Sequence, residues 1–393
     1  MNCPAVDLRA ARQIRREIEE AGGKCVPLIA DVADPNAVRA LHEAVLAAYG
    51  PADILVNNAG IVGMAPLADV DFAHWRRALD RSRAPTPPES TVGGTMPDAA
   101  PDLDLVGSYA LGPWRVRRVG YGAMQLAGDN VFGPPRDRDE ALRVLRAAVD
   151  HGVNHIDTAQ YYGPGVVNEL IREALYPYPA DLAIVSKVAA RRDAAGAVLP
   201  FDEPDQLRQG IEENLATLGV PRLAAVNLRM MDQSPPGGRF DAQLASLIRA
   251  RDEGLIGGIG LSNISREQLL RAVEQTEIVC VQNLFNLADQ RCADVLEECT
   301  RRGIAFVPFC PLGWPRGVQN QILTSQVLAR LGTRLQATSA QIALAWLLDL
   351  APNILLIPGT RTRAHLAENL GAVGVKLDDV SRAELAKYFP TAH

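Results

Sequence analysis

Lysine is the scarce residue in this chain: of 40 basic side chains only four, Lys24, Lys187, Lys376 and Lys387, are lysine. Chemistry that needs an amine therefore has few candidates. The six cysteines, Cys3, Cys25, Cys280, Cys292, Cys299 and Cys310, include no C-x-x-C pair. A chain of 393 residues needs no disulfide framework to hold a core. The thiols are expected to be buried in a reducing compartment. No run approaches the roughly 18 apolar residues of a membrane span. The first twenty residues carry Arg9, Arg12, Arg15, Arg16, Glu17, Glu19 and Glu20 in place of the apolar stretch of a secretory signal, so a cytoplasmic protein is expected. The net charge is −6, and no basic run could neutralise a row of phosphates. Roles on nucleic acid or at a membrane are not expected, and no obligate protein partner is evident.

Apolar material for a large core is present. Hydrophobic residues make up 48% and charged residues 22%, as in ordinary globular chains. Single cores stop growing at roughly 250–300 residues, so two units are expected. The stretch 81–104, "RSRAPTPPESTVGGTMPDAAPDLD", is rich in Pro, Ser, Thr and Gly and follows neither hydrophobic period, which reads as a linker. It separates residues 1–80 from residues 105–393.

Before the linker, 6–21 and 36–49 have helical patterns, while "VPLIADV" (26–32) and "DILVNNAG" (53–60) read as strands. That is a partial Rossmann-like α/β fragment. After the linker, eight apolar runs alternate with helical stretches: 118–124, 154–159, 182–187, 224–230, 257–262, 278–282, 304–309 and 353–359. Seven helical stretches separate them and one follows. This pattern predicts a (β/α)₈ TIM barrel with its chemistry at the carboxyl ends of the strands. "SYALGPWRVRR", just before the first run, reads as a hairpin that could plug the barrel floor.

The polar residues at those strand ends are not what a core would select. Asp157 ends the second run, Lys187 the third, Arg229 the fourth and Gln282 the sixth, and Ser262 and Asn263 end the fifth. A tyrosine hydroxyl, with a pKa of about 10 when free, can deliver a proton to a carbonyl oxygen if that pKa is brought nearer neutrality. A neighbouring Lys would do this, and an Asp would keep the Lys charged and oriented. The plainer alternative is a buried Asp157–Lys187 ion pair that only ties two strands together. Tyr162 and Tyr161 are both candidate donors.

The ordered motifs "NHIDTAQYYGPG", "IVSK", "GIGLSN", "VQNLFNL", "FVPFCPLG" and "LLIPGTRTRAHLAENL" resemble those of the aldo-keto reductases over residues 108–390. The resemblance implies an NADP(H)-dependent oxidoreductase that reduces an aldehyde or ketone and uses no metal. It makes Tyr162 the proton donor, Lys187 its partner and Asp157 the partner of Lys187. Ser262, Asn263 and Gln282 would hold the nicotinamide carboxamide, and Phe309 would stack on its ring. Gly122, Ala123, Met124, Pro311, Leu312 and Gly359 would line the cofactor site.

The family places His at the end of the fourth strand, where this chain has "VNLRMMD" and Arg229. An arginine can hydrogen-bond the substrate oxygen but cannot shuttle a proton. The alternatives for Arg229 are an electrostatic orienter or an ion pair with Asp232. His155 reads as a core histidine. In "PGTRTRAHLAEN", Thr360 or Thr362 caps a helix whose first turn gathers Arg361, Arg363 and His365, cations that oppose the helix dipole unless an anion joins them. That anion would be the 2′-phosphate of NADP, contacted by Thr360 and Arg361, with Glu368 and Asn369 matching adenine contacts. Together "GYGAMQLAG", "IREALYPYP" and "VNLR" resemble bacterial pyridoxal reductases, which implies pyridoxal as a substrate. The other reading to be weighed is a nicotinamide-binding regulatory module with weak or no turnover.

Residues 5–80 resemble a truncated short-chain dehydrogenase. The Gly-rich turn of that fold is missing, since the first glycine is Gly22. Its Tyr-x-x-x-Lys is missing as well, because Glu20, Ala183, Ala372 and Ala383 stand four residues before the four lysines. A dispensable fusion remnant is expected.

Overall fold

The computed structural model describes residues 101–314 and 320–390. The helices, strands and most of the linker expected in the first hundred residues lie outside the described residues. The first described element is a 3₁₀ turn, Leu103–Val106, capped by the Asp102 carboxylate and anchored by the buried Leu103. This turn falls within the stretch read as linker and packs through one apolar side chain.

A two-stranded antiparallel hairpin follows, β1 (Ser108–Leu111) and β2 (Trp114–Arg117). Alternating strands and helices come next: β3 (Tyr121–Gly122), α1 (Arg138–Asp150), β4 (His155–Asp157), α2 (Val166–Leu175), β5 (Ala183–Arg192), β6 (Val198–Phe201), α3 (Pro204–Leu218), β7 (Ala225–Arg229) and α4 (Gly238–Asp252). Then come β8 (Ile259–Ser262), α5 (Arg266–Val273), β9 (Cys280–Gln282), α6 (Ala293–Arg302) and β10 (Ala305–Phe306). The last elements are α7 (Gln326–Leu335), α8 (Ser339–Leu350), α9 (Arg363–Leu370) and α10 (Asp379–Tyr388).

Seven parallel strands pair in the order β10-β9-β8-β7-β5-β4-β3. Segment 353–357 closes the ring, bridging Phe306 through Ile354 and Val119 through Leu356. The eight expected strand positions are therefore all occupied, in a (β/α)₈ barrel. The strands are short and almost wholly buried, as parallel strands covered on both faces must be.

Helix boundaries follow local chemistry. Asp137 caps α1, and α1 buries Ala141, Leu142, Val144, Leu145 and Ala148 along one face. Capping boxes open α5 at Ser265 and Gln268, and α8 at Thr338 and Gln341. Inside the barrel Ala183, Val185, Ala225, Cys280, Ala305, Val307, Leu355 and Ile357 cluster with Leu111 and Val116 of the hairpin. The hairpin is thus the floor of the barrel.

Two features differ from the sequence reading. The third strand does not stop at Lys187 but runs to Arg192 and folds back antiparallel on β6. Two helices, α7 and α8, separate β10 from the closing segment, and with Leu377 and Leu385 they share a cluster of their own. Among the described residues no helix is long and apolar enough to cross a membrane.

Candidate active site

Strand register assembles the site. Gly122 pairs with Asp157, Lys187 with Asn227, Arg229 with Ser262, and Ser262 with Gln282, so these side chains share the carboxyl-end rim. Lys187 Nζ donates to Asp157 Oδ1 at 2.5 Å and to the Thr158 carbonyl at 3.0 Å. Both partners of the ion pair are about 5% exposed or less. The Lys187 ammonium also lies 5.1 Å from the centroid of the Tyr162 ring. Tyr161 and Tyr162 meet edge to face with centroids 5.2 Å apart, and both are 7% exposed. Asp157, Tyr162 and Lys187 are therefore brought together.

Burial pushes the Tyr162 hydroxyl well above the ordinary tyrosine value, Asp157 adds to the rise, and Arg229 and Arg192 oppose it. Burial likewise holds His155 neutral, down at about 4.

Arg229 ends β7 half-buried, with Nη1 3.1 Å from Met231 Sδ. The expected alternative partner, Asp232, instead accepts from the Ser234 amide at 3.0 Å.

The residues assigned to the cofactor divide into three groups. Ser262 and Gln282 are buried neighbours in register. Gln282 Nε2 donates to Asp157 Oδ2 at 2.8 Å, and its Oε1 is buried without a partner. A buried acceptor of this kind is costly unless a donor reaches it, and an amide NH₂ fits the need. Asn263 adopts φ 57° and donates Nδ2 to the Met230 carbonyl at 2.9 Å. Phe309 is half-buried, with its ring 6.4 Å from Trp314, while Pro311 is buried and Leu312 partly so.

Gly122 and Gly359 are required by each other's neighbourhood. A Cβ on Gly122 would lie 2.4 Å from the Ile357 carbonyl oxygen, and one on Gly359 would lie 2.5 Å from that of Gly122. Backbone approach at the barrel closure accounts for both glycines.

The third group meets in a groove of about 310 Å³ lined by Met124, Gln125, Gly128, Val131, Thr360, Arg361, Thr362 and His365. Ala123 is buried at the start of the 3₁₀ turn that carries Met124. Thr362 is the cap of α9 and accepts from the His365 amide at 3.3 Å. Arg361 Nε donates to the Gln125 carbonyl at 2.9 Å, and Arg363 pairs with Glu140 at 3.3 Å. Arg361 and His365 both line the groove. Glu368 and the buried Asn369 lie further along α9, outside the groove lining.

A larger hollow of about 630 Å³, lined by Glu169, Arg172, Glu173, Tyr176, Ala216 and Thr217, is away from the strand ends and gathers no catalytic group.

Sequence reading missed Gln125, which ties the groove through its bond to the Gly359 carbonyl at 2.9 Å, and Arg192, which donates to the Tyr161 carbonyl at 3.0 Å. Both act through backbone carbonyls, which leave no side-chain pattern to find.

Comparison with known proteins agrees with this geometry. Residues 118–388 match the aldo/keto reductase family, and residues 3–85 match the short chain dehydrogenases. A pyridoxine 4-dehydrogenase of Escherichia coli (strain K12) is 48% identical over 275 residues, covering 69% of this chain and 94% of that protein. An uncharacterized oxidoreductase of Schizosaccharomyces pombe is 36% identical, covering 75% and 96%. A thermostable aldo-keto reductase crystallised with the inhibitor epalrestat superposes with a TM-score of 0.61 at 29% identity, covering 71% and 98%. An aldo/keto reductase from Klebsiella pneumoniae, in complex with NADP and acetate, shares the fold with a TM-score of 0.61 at 22% identity, covering 73% and 96%. With the family pattern spanning the whole barrel and the buried Asp157–Lys187 pair beside Tyr162, this chain belongs to the aldo/keto reductase family.

Proposed function

We propose that the chain is an NADP(H)-dependent oxidoreductase that reduces an aldehyde or ketone to an alcohol, with Tyr162 as the proton donor. The observation that carries this reading is the approach of Lys187 Nζ to Tyr162, 5.1 Å from its ring centroid, on a strand-end rim with Asp157. Two features fit the cofactor. Gln282 Oε1 is a buried acceptor without a partner beside Ser262, suited to a carboxamide. Thr360, Arg361 and His365 line a groove suited to a phosphate.

The bound dinucleotide would supply the hydride to the carbonyl carbon. The chain's own part is positional and electrostatic. Tyr162 gives its hydroxyl proton to the carbonyl oxygen, which completes the alcohol. Arg229 donates hydrogen bonds to the same oxygen and stabilises the charge that grows there. Asp157 holds Lys187 and, through Oδ2, also holds Gln282. Thus one carboxylate positions both the tyrosine's neighbour and the carboxamide acceptor. The 48% identical relative named pyridoxine 4-dehydrogenase supports the pyridoxal–pyridoxine pair as the substrate.

NADPH oxidation followed by absorbance over a panel of aldehydes that includes pyridoxal tests the proposal. Tyr162→Phe is expected to lower kcat by about 10²–10⁴, the usual worth of a positioned general acid, with NADPH affinity retained. Tight NADPH binding without Tyr162-dependent turnover would point to a nicotinamide-binding regulatory module instead.

A further inference from the structure

Arg229 and Arg192 leave the tyrosine end of the barrel with two guanidiniums and no matching acid. Among the described residues neither has a carboxylate within ion-pair distance. Arg229 meets the Met231 sulfur, a weak acceptor, and Arg192 is spent on the carbonyls of Tyr161 and Gly196. The carboxylate between the catalytic groups, Asp157, is taken by Lys187 and Gln282. Asn227 pairs with Lys187, and Arg229 follows Asn227 by two residues on β7, so its side chain leaves the strand on the same face as Lys187, one step nearer the barrel mouth.

A guanidinium offers two parallel N–H groups in one plane, which suit two oxygens on adjacent atoms of a planar group. An imidazole at this position would offer a single N–H to the carbonyl oxygen. With an arginine, the second N–H of the fork falls on whatever neighbours the carbonyl, and an uncompensated cation selects an anion there. The paired aromatic rings of Tyr161 and Tyr162 on this rim favour a flat ring.

We propose that Arg229 is a specificity-determining residue that selects aromatic aldehydes bearing an ionised oxygen ortho to the formyl group, holding both oxygens on one face of its fork. This inference rests on the carbonyl-reductase reading. Pyridoxal is a member of the class, since its ring hydroxyl neighbours its formyl group.

The test compares 2-hydroxybenzaldehyde with 4-hydroxybenzaldehyde at about pH 9, where both phenols are ionised and only the position of the oxygen differs. Two quantities are read: kcat/KM with NADPH, and Kd for each aldehyde on enzyme saturated with NADP⁺, where no hydride is available. Wild type is expected to favour the 2-isomer by about tenfold or more in both, within the range that a single polar contact supplies. In Arg229→Lys and Arg229→Gln the preference should fall to within about threefold whatever the absolute rates, and chiefly through KM and Kd. A wild-type ratio near one overturns the proposal, as does a preference that survives in both folded variants. Equal, Tyr162-dependent reduction of both isomers would leave the carbonyl-reductase reading standing and this one fallen. Arg229-dependent binding of the 2-isomer without turnover would do the reverse.

Discussion

Tyr162 shows how burial sets the form in which a proposed proton donor waits. With its hydroxyl pushed well above the ordinary range, the proton-bearing form is the folded protein's form at every neutral pH. A raised pKa keeps the donor intact below it, and the donor is lost only as pH climbs through it. Reduction is therefore expected to hold a constant kcat from about pH 6 to about pH 9 once cofactor and substrate saturate. Oxidation of the alcohol, which needs Tyr162 as a proton acceptor, should accelerate with rising pH over the same span. A tenfold fall in reductive kcat per pH unit between about 7 and 9, in stopped-flow or steady-state profiles, would contradict this assignment. At this scale, Asp157 and Lys187 were conspicuous as hydrophilic residues at the ends of apolar runs, whereas Tyr162 was singled out from Tyr161 only by the family resemblance. The direction of the titration was not legible, because desolvation sums over everything that packs around the hydroxyl, and spacing in the chain carries none of that sum.

Between elements, the turn that carries Tyr162 is tied down by buried amides. Thr158 Oγ1 donates to Asn168 Oδ1 at 2.8 Å, and Asn168 Nδ2 in turn reaches Gln160 at 2.8 Å, Asn214 at 3.0 Å and Thr217 at 3.1 Å. Ser186, beside Lys187, donates to the same Asn214 oxygen at 2.5 Å. Asn168 and Asn214 have no exposed surface, so α2 and α3 brace the turn carrying Tyr162 and the strand carrying Lys187 through one network. Replacing Asn214 by Leu strands the partners on both sides. The expected cost is about 2–3 kcal/mol, with a melting temperature several degrees lower. As the turn loosens, kcat should fall by about tenfold with little change in KM. Calorimetry with steady-state kinetics measures both, and an unchanged kcat at lowered stability would make the network purely architectural. The helices and barrel strands of this network were readable from their periods, but the network was not. Asparagines on helices look like solvent-facing residues until the neighbouring helix is known. The extension of β5 to Arg192 was hidden for a related reason: "VAARR" acquires strand form by pairing with β6 rather than from its own pattern.

Taken as a whole, the chain joins an aldo/keto reductase barrel to a shorter stretch that matches a different dehydrogenase family. The described fold contains every group assigned to the reaction, and residues 3–85 lack both the Gly-rich turn and the Tyr-x-x-x-Lys their own family needs. A chain of residues 101–393 is thus expected to keep kcat and KM within about twofold of the full-length values in an NADPH oxidation assay. Loss of turnover from a folded barrel would show that the first hundred residues take part. The cut belongs before Leu103, since removing that buried side chain would cost roughly 2 kcal/mol of core burial. The burial of Lys187 has a further consequence. Aldehydes condense with free amines, so an enzyme that concentrates them risks alkylating its own pocket. Here the amine at the rim is sealed against Asp157 and 5% exposed, and the other two lysines of the barrel, Lys376 and Lys387, belong to its last segment. The described rim can thus handle reactive carbonyls without offering them an exposed lysine amine.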